Sequence, residues 1–468
     1  MEMEKKYINV GADLISVLFV VILSAILLLV VNLQRGELLI GGEAYYHLRI
    51  AENPFMTYDQ LSFSGRTHIF NAWHLMLNLF SKSFGVTLEN ASKLLPMIFA
   101  LVSLVVFYYL LKKTGLSLRA RIFSCIILAL SPAFIYAGTV SNDFIAPVFL
   151  LLCSFLLLLN KKSFFSYLLI LIVPFFGIFH GIIALLFTAI IGFRYGLKRS
   201  YFVLAILLFM IIWPFILNGI PSIEFNNLSF IQELISDFGG IYGISIFAAF
   251  LSFFGLSKLW EKKYQNFIIY LSLVLLAILA IFNIKSLLYL NFIIAFLASL
   301  GLIKLISMKW ESDSIKTLSL FIISIGLIFS TVTYMGQIKD KPPNQDTIDA
   351  MNFLRQNSNK EDIVLSYYPN GHFISSMAER KNFIDNKPFF APGLRERDQD
   401  FYKLMYNKEL KEAIALTKKY GIDYIYIDPE MRGKLWNQED EGILFLLKFS
   451  TTFKKIYNKN GYEIYMVE

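Results

Sequence analysis

Eleven apolar runs follow one another through the first 336 residues, near 12–33, 93–111, 120–137, 144–160, 164–179, 181–193, 200–218, 240–257, 265–282, 286–306 and 316–335. With no water in a bilayer core, backbone N–H and C=O groups must be satisfied within the segment, so such runs fold as spanning helices. Of the 468 residues, 56% are hydrophobic and 17% charged, against about 25% charged in soluble domains. A soluble globular protein, a disordered chain and a fibre are thereby excluded. Ala12–Leu33 is too long for the apolar region of a signal peptide, and no small-x-small cleavage site follows it, so it is expected to stay as the first span. Cys125 and Cys153 both lie inside apolar runs, which argues against a disulfide, a zinc site or an exposed nucleophile.

The charge is unevenly placed. From Gln337 onward 20 Lys and Arg balance 20 Asp and Glu, so the net excess of +8 belongs to the membrane part. There it marks alternate loops: Lys112, Lys113, Arg119 and Arg121; Lys161 and Lys162; Arg194, Lys198 and Arg199; Lys258, Lys262 and Lys263; Lys304, Lys309 and Lys316. Basic loops stay cytoplasmic, so this is a topology signal and not a nucleic-acid patch, and no nucleic-acid partner is expected. Eleven spans put the N-terminus inside and the C-terminal domain outside. Three segments then face outward: Gln34–Ser92, the tight turn Gly138–Asp143, and Ile220–Gly239. The first carries short amphipathic stretches, Ala44–Ala51 and Asn71–Phe84, and long ordered loops of this kind are usually functional.

From about Pro342 the apolar runs shorten and charge rises. Thr347–Arg355 reads as a helix and Asp362–Tyr368 as a strand stopped by Pro369-Asn370-Gly371. Glu409–Tyr420 reads as a helix ended by Gly421, Ile422–Ile427 as a strand, and Phe453–Tyr457 with Tyr462–Val467 as a hairpin around Asn460-Gly461. The expected architecture is an α-helical polytopic membrane protein, residues 1–336 with outer loops 34–92 and 220–239, followed by an α/β domain over 337–468.

Several polar residues on the outer side could carry chemistry. In Glu43-Ala44-Tyr45-Tyr46-His47-Leu48-Arg49, Glu43 and His47 share a helix face at i, i+4, a carboxylate and an imidazole able to hold a metal or pair with a cation; the plain alternative is an interfacial helix in a Tyr belt. In Ser141-Asn142-Asp143, an acid near the membrane is costly unless paired or hydrated, although the same residues make good helix caps. Glu233, in Phe230-Ile231-Gln232-Glu233, sits in a third outer segment, near Glu224 and Asp237. Lys285 is the one basic residue of a short outer turn; it either snorkels to headgroups or binds a phosphate oxygen. His180, in another outer turn, reads as an interfacial histidine with no chemical task. Glu43, Asp143, Glu233 and Lys285 all fall on one membrane face. Acids and a cation there suit a lipid-linked phosphate donor, with a divalent metal neutralising the phosphates.

These residues resemble the catalytic subunit of oligosaccharyltransferase (the AglB and PglB type), within the GT-C membrane glycosyltransferases. That family has an acid just before Tyr-His-x-Arg in its first outer loop; here Glu43 precedes Tyr46-His47-Leu48-Arg49, with Glu in place of Asp. Its second outer motif, Gly-x-x-Asp-x-Glu or a close variant, is similar to Gly138-Thr139-Val140-Ser141-Asn142-Asp143, where Ser141 replaces one acid. Its Thr-Ile-x-Glu element resembles Phe230-Ile231-Gln232-Glu233, and Lys285 stands where the family has an Arg. Its Trp-Trp-Asp-Tyr-Gly motif resembles Tyr367-Tyr368-Pro369-Asn370-Gly371, with Pro369 where the hydroxyl-binding Asp stands.

The resemblance implies a GT-C fold of about 11–13 spans with an extracytoplasmic C-terminal domain, in the plasma membrane of a prokaryote. It implies an inverting transferase that takes sugar from a polyprenyl-phosphate-linked donor. Glu43, Asp143 and Glu233 would then be catalytic, and Glu43 with Asp143 would bind Mg or Mn. His47, Arg49 and Lys285 would hold the donor, and Tyr367, Tyr368 and Asn370 the acceptor. A degenerate, non-catalytic relative is the alternative class, favoured by Ser141 and Pro369. A transporter is disfavoured, because the spans lack charges near their midpoints and no inverted repeat is evident.

Overall fold

A computed structural model of the chain describes residues 2–195, 198–219, 234–240, 243–338 and 341–468. The eleven apolar runs become eleven helical segments in the expected order. Among the described residues, five helices, Gly11–Gln34, Leu88–Lys113, Lys198–Asn218, Ile284–Ser307 and Asp313–Ile338, are long and apolar enough to cross a membrane. The pair Leu118–Ala129 and Pro132–Thr139 passes the same length and composition test taken together, with a bend of 63° between its helices. The break falls where Pro132 starts a new helix, since proline lacks the N–H that would continue the first. Five further apolar helices between Ile145 and Phe282 are shorter. The run expected from residue 240 becomes helical only at Ile246, where Ser245 accepts a hydrogen bond from the Phe247 N–H and caps the end.

The chain forms two compact units: 1–37 with 90–211 and 225–341, and 38–89 with 212–224 and 342–468. In the first, helices Ile246–Trp260 and Leu287–Ser307 pack at their backbones. A Cβ on Gly255 would lie 2.0 Å from the Leu297 carbonyl oxygen, and one on Gly301 1.9 Å from that of Leu251. Close approach through small residues is how helices associate where lipid removes the hydrophobic drive. Near the start of the first span, the Asp13 carboxylate pairs with Lys112 and, at 2.8 Å, with Arg121. It thereby joins the N-terminal span to a basic loop assigned to the same membrane side.

The second unit holds a five-stranded mixed sheet in the order β4-β3-β5-β7-β6: β3 Ile363–Leu365, β4 Lys381–Asn382, β5 Ile422–Ile427, β6 Phe453–Lys459 and β7 Tyr462–Val467. β4, β3 and β5 run parallel; β5–β7 and β7–β6 are antiparallel. Alternation along the strands fills two cores. Val364, Tyr424, Tyr426 and Ile464 face helix Gln345–Asn357, while Leu365, Ile425, Ile427 and Tyr465 pack with Phe401, Met405 and Met431 from helices that the sequence reading did not find.

Phe63, from the loop after the first span, is fully buried in that second core. Its backbone N–H donates to Asn382 Oδ1 at 2.8 Å, and the Asn382 N–H donates to the Leu61 carbonyl. The loop also forms its own two-residue hairpin, β1 Tyr58–Asp59 with β2 Arg66–Thr67.

One local expectation changes. The strand expected over Asp362–Tyr368 ends at Leu365, and in place of a turn a helical stretch runs from a 3-10 turn at Tyr368–Asn370 through Ala378, with Pro369 in its first turn. Proline in a first helical turn has the φ a helix needs, and the N–H it lacks is one that the first turn leaves without an intrahelical partner.

Candidate active site

In the second unit, helix Gly42–Glu52 starts after Gly41, whose φ of 75° is the left-handed conformation that glycine adopts without strain. One turn apart on it, Glu43 and His47 face each other, with Oε1 and Nε2 3.7 Å apart. The other ring nitrogen of His47, Nδ1, lies 2.8 Å from His74 Nε2 on helix Ala72–Phe84. Lys387, from the loop after β4, brings its Nζ to 2.9 Å from Glu43 Oε1 and 3.3 Å from His47 Nε2, and to 4.7 Å from the centre of the Tyr46 ring.

Tyr46 is the hub of this cluster. Its ring touches His47, His68, His74 and His372, four of the five histidines in the chain. Burial pushes both His68 and His372 down to about 4, with the Arg66 cation adding to it, so both rings are neutral at pH 7.

Beneath the cluster, Arg49 donates through both terminal nitrogens to Asp59 at 2.7 Å each. Burial raises the Asp59 carboxyl, but the Arg49 bonds outweigh it and hold the group below the usual carboxylate range. The donor role expected for Arg49 is therefore met by a guanidinium already committed within the fold. Asp385 is a second buried carboxylate. Ser62 donates to it, His372 and Arg66 lie at 3.9 and 4.0 Å, and its Oδ1 accepts the Lys387 backbone N–H at 2.8 Å.

The expected acceptor residues sit at the end of β3. Tyr367 is buried in the core and donates its hydroxyl to Tyr368 at 2.7 Å. Asn370 is buried, and its amide donates to Ser366 Oγ at 3.1 Å. Tyr368 and Pro369 remain half-buried. Gly371 has no room for a side chain, since a Cβ there would lie 2.2 Å from the Ile384 carbonyl oxygen.

Asp143 and Lys285 belong to the first unit. In the Ser141-Asn142-Asp143 turn the turn-making work falls to Asn142, whose side chain accepts from the Phe144 N–H and donates to the Val140 carbonyl. The Asp143 carboxylate faces His180, with Oδ1 3.9 Å from Nε2, and His180 Nδ1 lies 2.8 Å from the Tyr289 hydroxyl. Lys285 lies 5.5 Å from the Phe144 ring and lines a crevice of about 10 Å³ with Tyr136, Asn142 and Leu288. Glu233 and its neighbours 220–232 lie outside the described residues.

The sequence reading passed over His68, His74, Lys387, Asp59 and Asp385, and gave His180 no chemical task. The rarity of histidine was a usable signal: three of five fall in the single stretch between Gln34 and Ser92.

No family model matches the chain. Dolichyl-phosphooligosaccharide-protein glycotransferase 2 of Pyrococcus furiosus is 29% identical over 97 residues, a stretch that is 20% of this chain and 12% of that relative. Structures of the Archaeoglobus fulgidus oligosaccharyltransferase superpose on nearly the whole chain. The complex with Zn and sulfate gives a TM-score of 0.63 at 14% identity, covering 96% of this chain and 73% of that one. The form tethered to a peptide with the NVT sequon gives 0.63 at 13% identity, covering 97% and 74%. ArnT from Cupriavidus metallidurans bound to undecaprenyl phosphate gives 0.56 at 12% identity, covering 96% and 97%. The chain shares the fold of these solved structures along nearly its whole length.

Proposed function

We propose that this chain is a GT-C membrane glycosyltransferase, oligosaccharyltransferase-like, that transfers a sugar or oligosaccharide from a polyprenyl-phosphate-linked donor to an acceptor on the outer face of a prokaryotic plasma membrane. The observation that carries this reading is the Glu43–His47 pair on the helix following the first span, in a chain that shares the fold of such transferases along almost its full length. The Archaeoglobus enzyme has also been solved with a dolichol-phosphate, and ArnT with undecaprenyl phosphate.

Inverting transfer needs a base for the acceptor proton, cationic groups for the departing phosphate, and a fixed line of attack on the anomeric carbon. Asp143 is the proposed base, with His180 and Tyr289 orienting its carboxylate and Glu233 completing the cleft. Lys285 is the proposed phosphate ligand. Tyr368 and the face of Pro369 are the proposed acceptor contacts, while Tyr367 and Asn370 hold the loop.

The residues fit a divalent cation. Glu43 Oε1 and His47 Nε2, 3.7 Å apart, span what one ion with metal–ligand distances of about 2.0–2.2 Å would bridge. When bound, such an ion would neutralise charge developing on the leaving phosphate. His47 would present its Nε2 lone pair.

The test is a transfer assay. Membranes containing the chain are incubated with labelled polyprenyl-linked sugars, and labelled lipid, polymer and protein products are collected. Product that disappears in Asp143→Asn is the expected result; no product from any such donor rejects the reading in favour of a degenerate relative. Orientation is tested by fusions at Gly433: alkaline phosphatase should be active there and a cytosol-only fluorescent protein dark.

A further inference from the structure

We propose that Lys387 is a built-in competitor for the cation site at Glu43: its ammonium and a divalent ion exclude one another, and Lys387 sets how tightly the ion binds. This rests on the metal-assisted reading above. The ammonium contacts Glu43 Oε1 at 2.9 Å and His47 Nε2 at 3.3 Å, the same two atoms that would ligate the ion. An ion held about 2.1 Å from Glu43 Oε1 would lie no more than about 5 Å from Nζ. The His47 side chain is fully buried and Glu43 is 18% exposed, so water and salt screen the repulsion between the two cations poorly.

The His47 tautomer serves either cation. An ammonium has only donors, so the Nε2 facing it must offer its lone pair. The proton is then on Nδ1, which donates to His74 Nε2 at 2.8 Å. A metal ligand needs the same arrangement, with the distal N–H held by a partner. The imidazole is thus set for a cation before any metal arrives.

Lys387 also has a place to go. Its backbone is pinned by the N–H bond to buried Asp385, so only the side chain moves. Nζ already lies 4.7 Å from the centre of the Tyr46 ring, which can keep hold of the ammonium as it leaves Glu43. The side chain is 23% exposed, so water is also within reach.

The experiment is a Mn²⁺ titration of the full-length protein in nanodiscs, read by calorimetry and by the free-Mn²⁺ electron paramagnetic resonance signal. Wild type is compared with Lys387→Met, Lys387→Gln and Glu43→Gln, each checked for folding by its melting curve. We expect both Lys387 variants to bind Mn²⁺ at least about tenfold more tightly than wild type, and Glu43→Gln to lose the site. Equal or weaker binding in the folded Lys387 variants overturns the competition and leaves the metal site standing. No Mn²⁺ binding in any variant overturns both the competition and the metal part of the functional reading, while the transfer assay, run with and without a chelator, judges the transferase reading separately.

Discussion

His47 Nδ1 and His74 Nε2 lie 2.8 Å apart, each ring buried, and the contact fixes which nitrogen of His47 faces Glu43. His74→Ala should leave the fold in place but free the His47 ring to turn. Orienting partners of this kind change affinity or activity by about 10–100-fold. The expected outcome is a loss of that order in donor transfer, with substantial recovery in His74→Gln, whose amide can still accept. Equal activity in wild type and His74→Ala would remove the orienting role.

Asp143 and His180 make a parallel case in the other unit. If Asp143 is the base, Asp143→Asn should lower kcat by about 10²–10⁴-fold with little change in KM, because general-base catalysis contributes on that scale. His180→Phe removes the orienting ring and should cost less. A KM effect without a kcat effect in Asp143→Asn would assign the carboxylate to binding. Steady-state kinetics with a labelled polyprenyl-linked donor measures both.

The Arg49–Asp59 pair predicts stability and not donor affinity. Asp59→Asn leaves a buried guanidinium without its counter-charge, which typically costs about 3–5 kcal/mol. A lowered melting temperature in detergent is the expected result. An unchanged melt with a raised KM for donor would return Arg49 to the donor site.

His68 and His372 bind protons more weakly in the folded protein, at about 4, than the ordinary value of 6.5 for an unfolded chain. Between those values the unfolded state holds more protons, so folding stability is complete above pH 6.5 and falls as pH drops toward 4. The shift is worth on the order of 3 kcal/mol per histidine. Chemical denaturation at pH 7 and pH 5 should show a loss at the lower pH, and His372→Phe should flatten that dependence.

If the chain is oligosaccharyltransferase-like as proposed, Pro369 takes the place of the acid that would grip a sequon hydroxyl, and a proline side chain accepts no hydrogen bond. Buried polar recognition discriminates by factors of about 10⁴–10⁵. Two acceptor peptides differing only as Asn-x-Thr and Asn-x-Ala should therefore be modified equally or not at all. Strict hydroxyl dependence would show that another group supplies the contact.

Much of this molecule is written in local pattern. The length of each apolar run dictated a helix, because an unpaired backbone in lipid is too costly, and the eleven segments follow. The run Ile422–Ile427 read as a strand and is one, buried on both faces, and Gly421 with its left-handed φ ended the helix before it. Glu43 and His47 shared a face by helical spacing alone, and they do meet.

Local pattern could not specify partners. Arg49 looked available until the hairpin at Tyr58–Thr67 delivered Asp59 to it. Lys387 reaches His47 across 340 positions, and no periodicity links them. Tyr367 and Asn370 matched a binding motif in type, yet the sheet draws the first into its core and Ser366 takes the amide of the second. A side chain's role as ligand, counter-charge or core filler depends on which groups the tertiary fold brings within about 3 Å, since hydrogen bonds and ion pairs act only at that range. Sequence therefore determined the apolar helices and most of the strands, and the fold alone decided which of the charged and polar groups were left for chemistry.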